Sequence, residues 1–203
     1  AYNGKAKKPS VKSVTLAGKT LSAGKDYTVT YQNNKNIGTA SVTITGTGSY
    51  TGTVTKTFTI YVKKGATVTS GAYKYKFTST SGVAFAGIKS TKTTKVVIPK
   101  TVKIGGKTFK VTSIAKKALY SKSKVKSVTI GENVKTIGAS AFQNCKKLST
   151  ITIKTTKLKS AGKNAFKGIK ATAKIKVPSR KLKAYRKILK NRGQGRKVTI
   201  VKQ

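Results

Sequence analysis

Histidine, tryptophan and methionine are absent from this 203-residue chain, cysteine occurs once, and the only acidic side chains are Asp26 and Glu132. Each absence removes a class of function. Without histidine there is no Ser–His or Cys–His relay and no imidazole metal site. The two carboxylates lie in different parts of the sequence and do not make a general acid/base pair by spacing. The chain is therefore expected to be non-catalytic and to carry neither metal nor cofactor. A single cysteine, Cys145, excludes an internal disulfide framework, a frugality that suits the cytosol or extracellular proteins of Gram-positive type. No apolar run approaches the roughly 20 residues that a membrane-spanning helix needs, and no signal peptide is visible. The abrupt start, "AYNGKAKKPSV", suggests a piece of a longer chain whose targeting segment lies elsewhere.

What is present is lysine. The chain has 45 Lys and Arg against two acids, a formal charge of +43, with 41 Lys to only four Arg. A field of this strength implies a polyanionic neighbour and says nothing about fold. Arginine dominates where planar, bidentate reading of phosphates or bases is needed, whereas lysine acts as a hydrated point charge. The ratio thus favours diffuse, salt-sensitive adhesion over a sequence-reading nucleic-acid protein. Regular apolar spacing counts against disorder, since disordered tails lack such periodic apolar residues.

Composition divides the chain in two. Residues 1–63 hold nine Lys against Asp26, a balance of +8; residues 64–203 hold the other 36 basic residues against Glu132, a balance of +35. The segment Lys63-Lys64-Gly65 reads as the linker. In residues 1–63, alternation at Tyr27, Val29 and Tyr31, at Ala40, Val42 and Ile44, and at Val54, Phe58 and Ile60 indicates short strands. "QNNKNIG" and "GTGSYTG" separate them as turns. The segment "DYTVTYQNN…GTASVTITGTGSYTGT" resembles the Ig-like modules that accompany repeats in bacterial surface proteins, which implies a small β-sandwich. Such modules can cross-link a Lys to an Asn beside a buried carboxylate. Asp26 with Asn33, Asn34 and Asn36 supplies the residue types, but a turn-stabilising Asp26 and a hairpin loop of asparagines is the simpler reading.

The second part repeats itself. Val111, Ile114, Ala118-Leu119, Val125 and Val128-Thr129-Ile130 recur 23 residues later as Val134, Ile137, Ala141-Phe142, Leu148 and Ile151-Thr152-Ile153. A third copy, one residue late, contains Leu158, Ala161, Ala165-Phe166 and Ile175-Lys176-Val177. A fixed period of this length marks a solenoid, whose single turns cannot bury their apolar faces alone. The motif "VKTIGASAFQNCKKLSTITI" resembles BspA-like leucine-rich repeats over about residues 95–180. The resemblance implies a surface-displayed, non-catalytic binding protein that contacts host or neighbouring-cell macromolecules. The copies are degenerate: Gly138 corresponds to Ala115, and Cys145 to Lys122 and Ile169. The match to Ile169 makes Cys145 a packing residue and not a reactive thiol.

Residues about 179–203 read as a cap on the solenoid. In "PSRKLKAYRKILKNRG", Ser179 is a candidate N-cap, Leu182, Tyr185, Ile188 and Leu189 share one helical face, and Gly193 ends the helix before a last strand, "KVTIV". The cap is basic: Arg180, Lys183, Arg186, Lys187, Lys190, Arg192 and Arg196.

The expected fold is mainly β: an Ig-like sandwich over 1–63, then a leucine-rich-repeat solenoid over 64–203 with a helix–strand cap. The expected function is extracellular or cell-surface adhesion, with anionic macromolecules as partners: wall teichoic acid, acidic glycans, DNA held without sequence preference, or a host surface protein. A nucleic-acid-binding protein using diffuse lysine charge is the alternative. Alternation places Lys95, Val97, Ser127, Thr129, Thr150, Thr152, Lys174 and Lys176 outward on successive strands, as a candidate binding face. Binding by overall charge, without a preferred face, is the competing expectation.

Overall fold

The computed structural model describes all residues 1–203. Two compact units emerge, one of residues 1–63 with the short segment 105–107, the other of residues 64–104 and 108–203.

In the first unit, strands β1 (Thr15–Leu16) and β2 (Lys19–Thr20) form a two-stranded ribbon. Strands β3 (Tyr27–Gln32), β4 (Gly38–Gly46) and β5 (Thr53–Ile60) form an antiparallel meander, in register at Val29↔Ile44 and Ala40↔Phe58. One face carries Tyr27, Ala40 and Ile60, which are buried; Thr28, Thr30 and Gln32 face water. The layer expected opposite this meander is only the β1–β2 ribbon and its flanking loop, from which Leu21 alone is buried. Leu16 and Val54 stay more than half exposed. Asp26 stabilises a turn as expected: its Oδ2 accepts a hydrogen bond from Ser22 N at 2.8 Å. It sits just before β3 while Asn33 and Asn34 sit just after it, about 20 Å away for a six-residue strand. That separation overturns the Lys–Asn cross-link.

In the second unit, β6 (Thr67–Ser70) and β7 (Tyr73–Phe77) form an antiparallel hairpin that continues onto β8 (Gly82–Ile88). Next come β9 (Lys95–Ile98), β10 (Thr101–Ile104), β11 (Lys107–Ile114), β12 (Ser127–Ile130), β13 (Thr136–Ile137), β14 (Thr150–Ile153), β15 (Ser160–Ala161) and β16 (Lys174–Val177). A 3-10 turn at Ser179–Lys181, helix α1 (Leu182–Leu189) and β17 (Thr199–Lys202) close the chain. Each coil gives one strand to each of two sheets. Strands β8, β11, β13 and β15 pair in parallel in one sheet, and β9, β12, β14, β16 and β17 in the other. About five coils result, with α1 standing where the last coil would place its first strand.

The repeat is the reason for this stacking. Leu119, Phe142 and Phe166 are fully buried at equivalent positions, as are Ile130, Ile153 and Val177. Burying one such side chain is worth about 1.5–3 kcal/mol, so a coil is stable only when its neighbours cover it. The turns stack too: Lys117 and Leu119 N–H donate to Ala139 and Ala141 of the next coil, and Ser140 and Phe142 donate to Lys163 and Ala165. Gly138 and Gly162 follow from that closeness. A Cβ on Gly138 would lie 2.5 Å from Lys116 N, and on Gly162 2.4 Å from Ala139 N. Ala115, at the same position one coil earlier, lies over β8, where the pairing slips between Val111 and Ser113.

Two elements of the cap differ from expectation. Ser179 does not cap the helix; its hydroxyl donates to Gln203 O at 3.1 Å and ties down the last strand. The helix also ends at Leu189, before Gly193, with Lys190 extended and Asn191 in the left-handed region. Tyr185 and Leu189 are buried, and Leu182 and Ile188 half-buried, so the apolar face is as predicted.

Candidate binding face on the parallel sheet

The face starts from strand alternation. Val96, Ile98, Val128, Ile130, Ile151, Ile153, Ile175 and Val177 point into the core with at most 1% exposure, so the residues between them must point out. Pairing is in perfect register. One outward row runs Lys95, Ser127, Thr150, Lys174 and Thr199; the second runs Val97, Thr129, Thr152, Lys176 and Val201. The structure thus gathers all eight residues of the sequence-predicted face onto one sheet surface. Lys95, Lys174 and Lys176 are exposed, Val97 is 43% exposed, and the four hydroxyl side chains are half-buried.

Strand β17 lengthens this surface. "KVTIV" was legible as a strand, but nothing in the repeat spacing placed it beside β16, so Thr199 and Val201 were missed. Their inclusion moves Lys174 and Lys176 from the margin of the face to its interior. Adjacent strands lie about 4.8 Å apart, so the face is about 19 Å wide from β9 to β17. Lys174 and Lys176 are about 7 Å apart at their roots, inside the Debye length of about 8 Å at physiological salt, whereas Lys95 is about 14 Å away. Positive potential is therefore concentrated on β16.

The basic cap is divided between structure and surface. Arg186 Nη2 donates to Ile200 O at 3.3 Å and Arg192 Nε to Ile188 O at 3.2 Å, so these two hold α1 against its surroundings. Arg180, Lys183, Lys187, Lys190 and Arg196 are exposed. Glu132 is exposed after β12, and no cluster of three His, Cys, Asp or Glu exists. Cys145 is buried, its Sγ donating to Leu119 O at 3.0 Å. Burial pushes its thiol up to about 11, outweighing the opposite pull of Lys122. A thiol held protonated in this way is a poor nucleophile. No helix is long and apolar enough to cross a membrane.

Parallel strands stacked at intervals of 23 to 25 residues from β12 to β17, with a recurring turn geometry between two sheets, define a leucine-rich-repeat solenoid. The repeats match those of the BspA type: the family model described as "BspA type Leucine rich repeat region" matches residues 112–202 in six copies. A leucine-rich repeat protein from Bacteroides capillosus aligns at a TM-score of 0.53 and 22% identity, over 68% of this chain and 98% of that one, a likeness of fold. A leucine rich cell surface protein from Faecalibacterium prausnitzii aligns at a TM-score of 0.49 and 23% identity, over 67% of this chain. The chain spans only 32% of the length of that protein. No curated protein matches the chain.

Proposed function

We propose that this chain is a non-catalytic binding or adhesion module of a bacterial cell surface, and that its parallel-sheet face holds an anionic polymer. The first unit serves as an Ig-like spacer in this reading. The single observation that carries it is the register of the face: four hydroxyl side chains in two rows, bordered by Lys95 on one side and Lys174 and Lys176 on the other. Side-chain hydroxyls hydrogen-bond the hydroxyls of a sugar or polyol chain, and the lysines hold its acidic groups. The BspA-type repeats and the likeness to a leucine rich cell surface protein support display outside the cell.

The experiment removes equal charge at two places. The triple variants Lys95→Gln/Lys174→Gln/Lys176→Gln and Lys183→Gln/Lys187→Gln/Lys190→Gln are compared for binding to heparin and to teichoic acid. The face variant is expected to lose more affinity. Equal losses would leave only adhesion by total charge.

A further inference from the structure

The face is not the most basic place on the second unit. At the start of β12 and β14, just outside the face, a concavity is lined by Lys126, Lys146, Lys147, Lys170 and Ser149. Three successive coils contribute to it, and all four lysines are exposed. No carboxylate faces them: the one acidic residue of this unit, Glu132, follows the opposite end of β12. Part of the backbone there is already satisfied. Lys126 O accepts from Ser149 N at 2.9 Å and from Ser149 Oγ at 3.2 Å, so the hydroxyl proton of Ser149 is engaged as well. The four ammonium groups are the charged donors of the concavity, and they repel one another. A multivalent anion placed among them removes that repulsion and gains attraction at the same time.

We propose that this concavity seats a tetrahedral oxyanion ester, sulfate or phosphate, borne on a carbohydrate or polyol chain that continues onto the strand face. The inference rests on the binding reading above and places the charged group of its ligand. Continuity is built in: Lys174 N donates to Ser149 O at 2.8 Å, so the concavity and the first row of the face meet at one residue pair. Lysine suits the task, since a point charge with three donors accepts a tetrahedral oxyanion in many orientations. The polyhydroxylated chain, and not a nucleic acid, follows from what lies alongside. The face offers Ser and Thr hydroxyls and contains no aromatic ring on which a base would stack.

The test uses the full chain and three probes of equal charge: a sulfated oligosaccharide, a poly(glycerol phosphate) and single-stranded DNA. Changing Lys126, Lys146, Lys147 and Lys170 to Gln is compared with changing Lys74, Lys76, Lys103 and Lys110, exposed lysines on other strands, to Gln. For the sulfated or the phosphorylated chain, the concavity variant should bind at least about tenfold more weakly at moderate salt, with a salt slope reduced by roughly three. The control variant should lose no more than about twofold, the share expected from net charge alone. The two polymer arms tell which ester is preferred. Arginine at the four positions should keep affinity within about threefold, because charge at the site is what matters; a loss as large as that with Gln would overturn the assignment. Equal losses in the two Gln variants, or DNA binding tighter than either polymer with the same dependence on the four lysines, would also overturn it. Failure of the unmodified chain to bind any probe would instead refute the underlying binding reading.

Discussion

Phe142 and Phe166 stack across adjacent coils, ring centroids 5.6 Å apart and planes within 15° of parallel, and both are fully buried. Their spacing of one repeat makes the contact a direct product of the period. Phe142 lies between the buried Leu119 and Phe166 positions of its neighbours, so Phe142→Ala should leave a cavity with nothing to collapse into it. The expected loss is about 3–5 kcal/mol, read from urea denaturation. A loss below about 1 kcal/mol would mean that neighbouring coils close the gap, and that the stacks are looser than their burial implies.

Tyr185 fastens the cap by its hydroxyl. The oxygen accepts from Leu158 N and donates to Thr155 O, both at 2.9 Å and both buried. Tyr185→Phe keeps the ring but strands a buried donor and a buried acceptor, and should cost about 1–3 kcal/mol. Amide exchange should accelerate first in α1. Uniform acceleration across all coils would contradict a local role.

Charge repulsion should limit stability. Two side-chain carboxylates can compensate only a few of 45 cations. Raising salt from 0.01 to 0.15 M shortens the Debye length from about 30 Å to about 8 Å, so Tm should rise, and sulfate should raise it further. Scanning calorimetry decides this; a salt-independent Tm would show that the lysines stand too far apart to oppose folding.

Cys145 should weaken the fold at alkaline pH. Its thiol is pushed up to about 11 in the folded chain against an ordinary 9.0. Above pH 9 the unfolded chain ionises first, so the stability linked to this group is complete below pH 9 and is lost as pH rises through 11. All other groups are common to wild type and Cys145→Ala, so the informative quantity is the difference between them. That difference should move against wild type from pH 9 to 11. A pH-independent difference would mean that the thiolate forms as readily inside the fold as outside.

Much of the solenoid was legible because its physics is repetitive. Leu148, Ile151, Ile153 and Phe142 could be assigned to the core from the period alone, and all are buried. The outward rows followed by alternation. Of the first coil, β9 was legible by its alternation but β8 was not: "GVAFAGI" is buried on both faces and so shows no alternation, and the slip at Val111/Ser113 takes it out of the 23-residue register. Ser179 misled because a serine before an amphipathic run normally caps it, whereas here Gln203 O competes successfully for its hydroxyl. The lysine concavity was invisible for another reason. Lys146 and Lys170 occupy the same repeat position, but Lys126 and Lys147 do not, and only the turns bring all four around one hollow.

The central claim is that ligand sits on the face made by β9, β12, β14 and β16, and methyl and amide NMR tests it most directly. On titration with a sulfated oligosaccharide, the methyls of Thr129, Thr150 and Thr152 and the amide of Ser127 should shift and saturate together. Signals from Lys183, Lys187 and Lys190 on α1 should move little. Shifts of similar size on α1 and the sheet, rising together without saturation, would contradict the claim and leave total charge as the whole of the attraction.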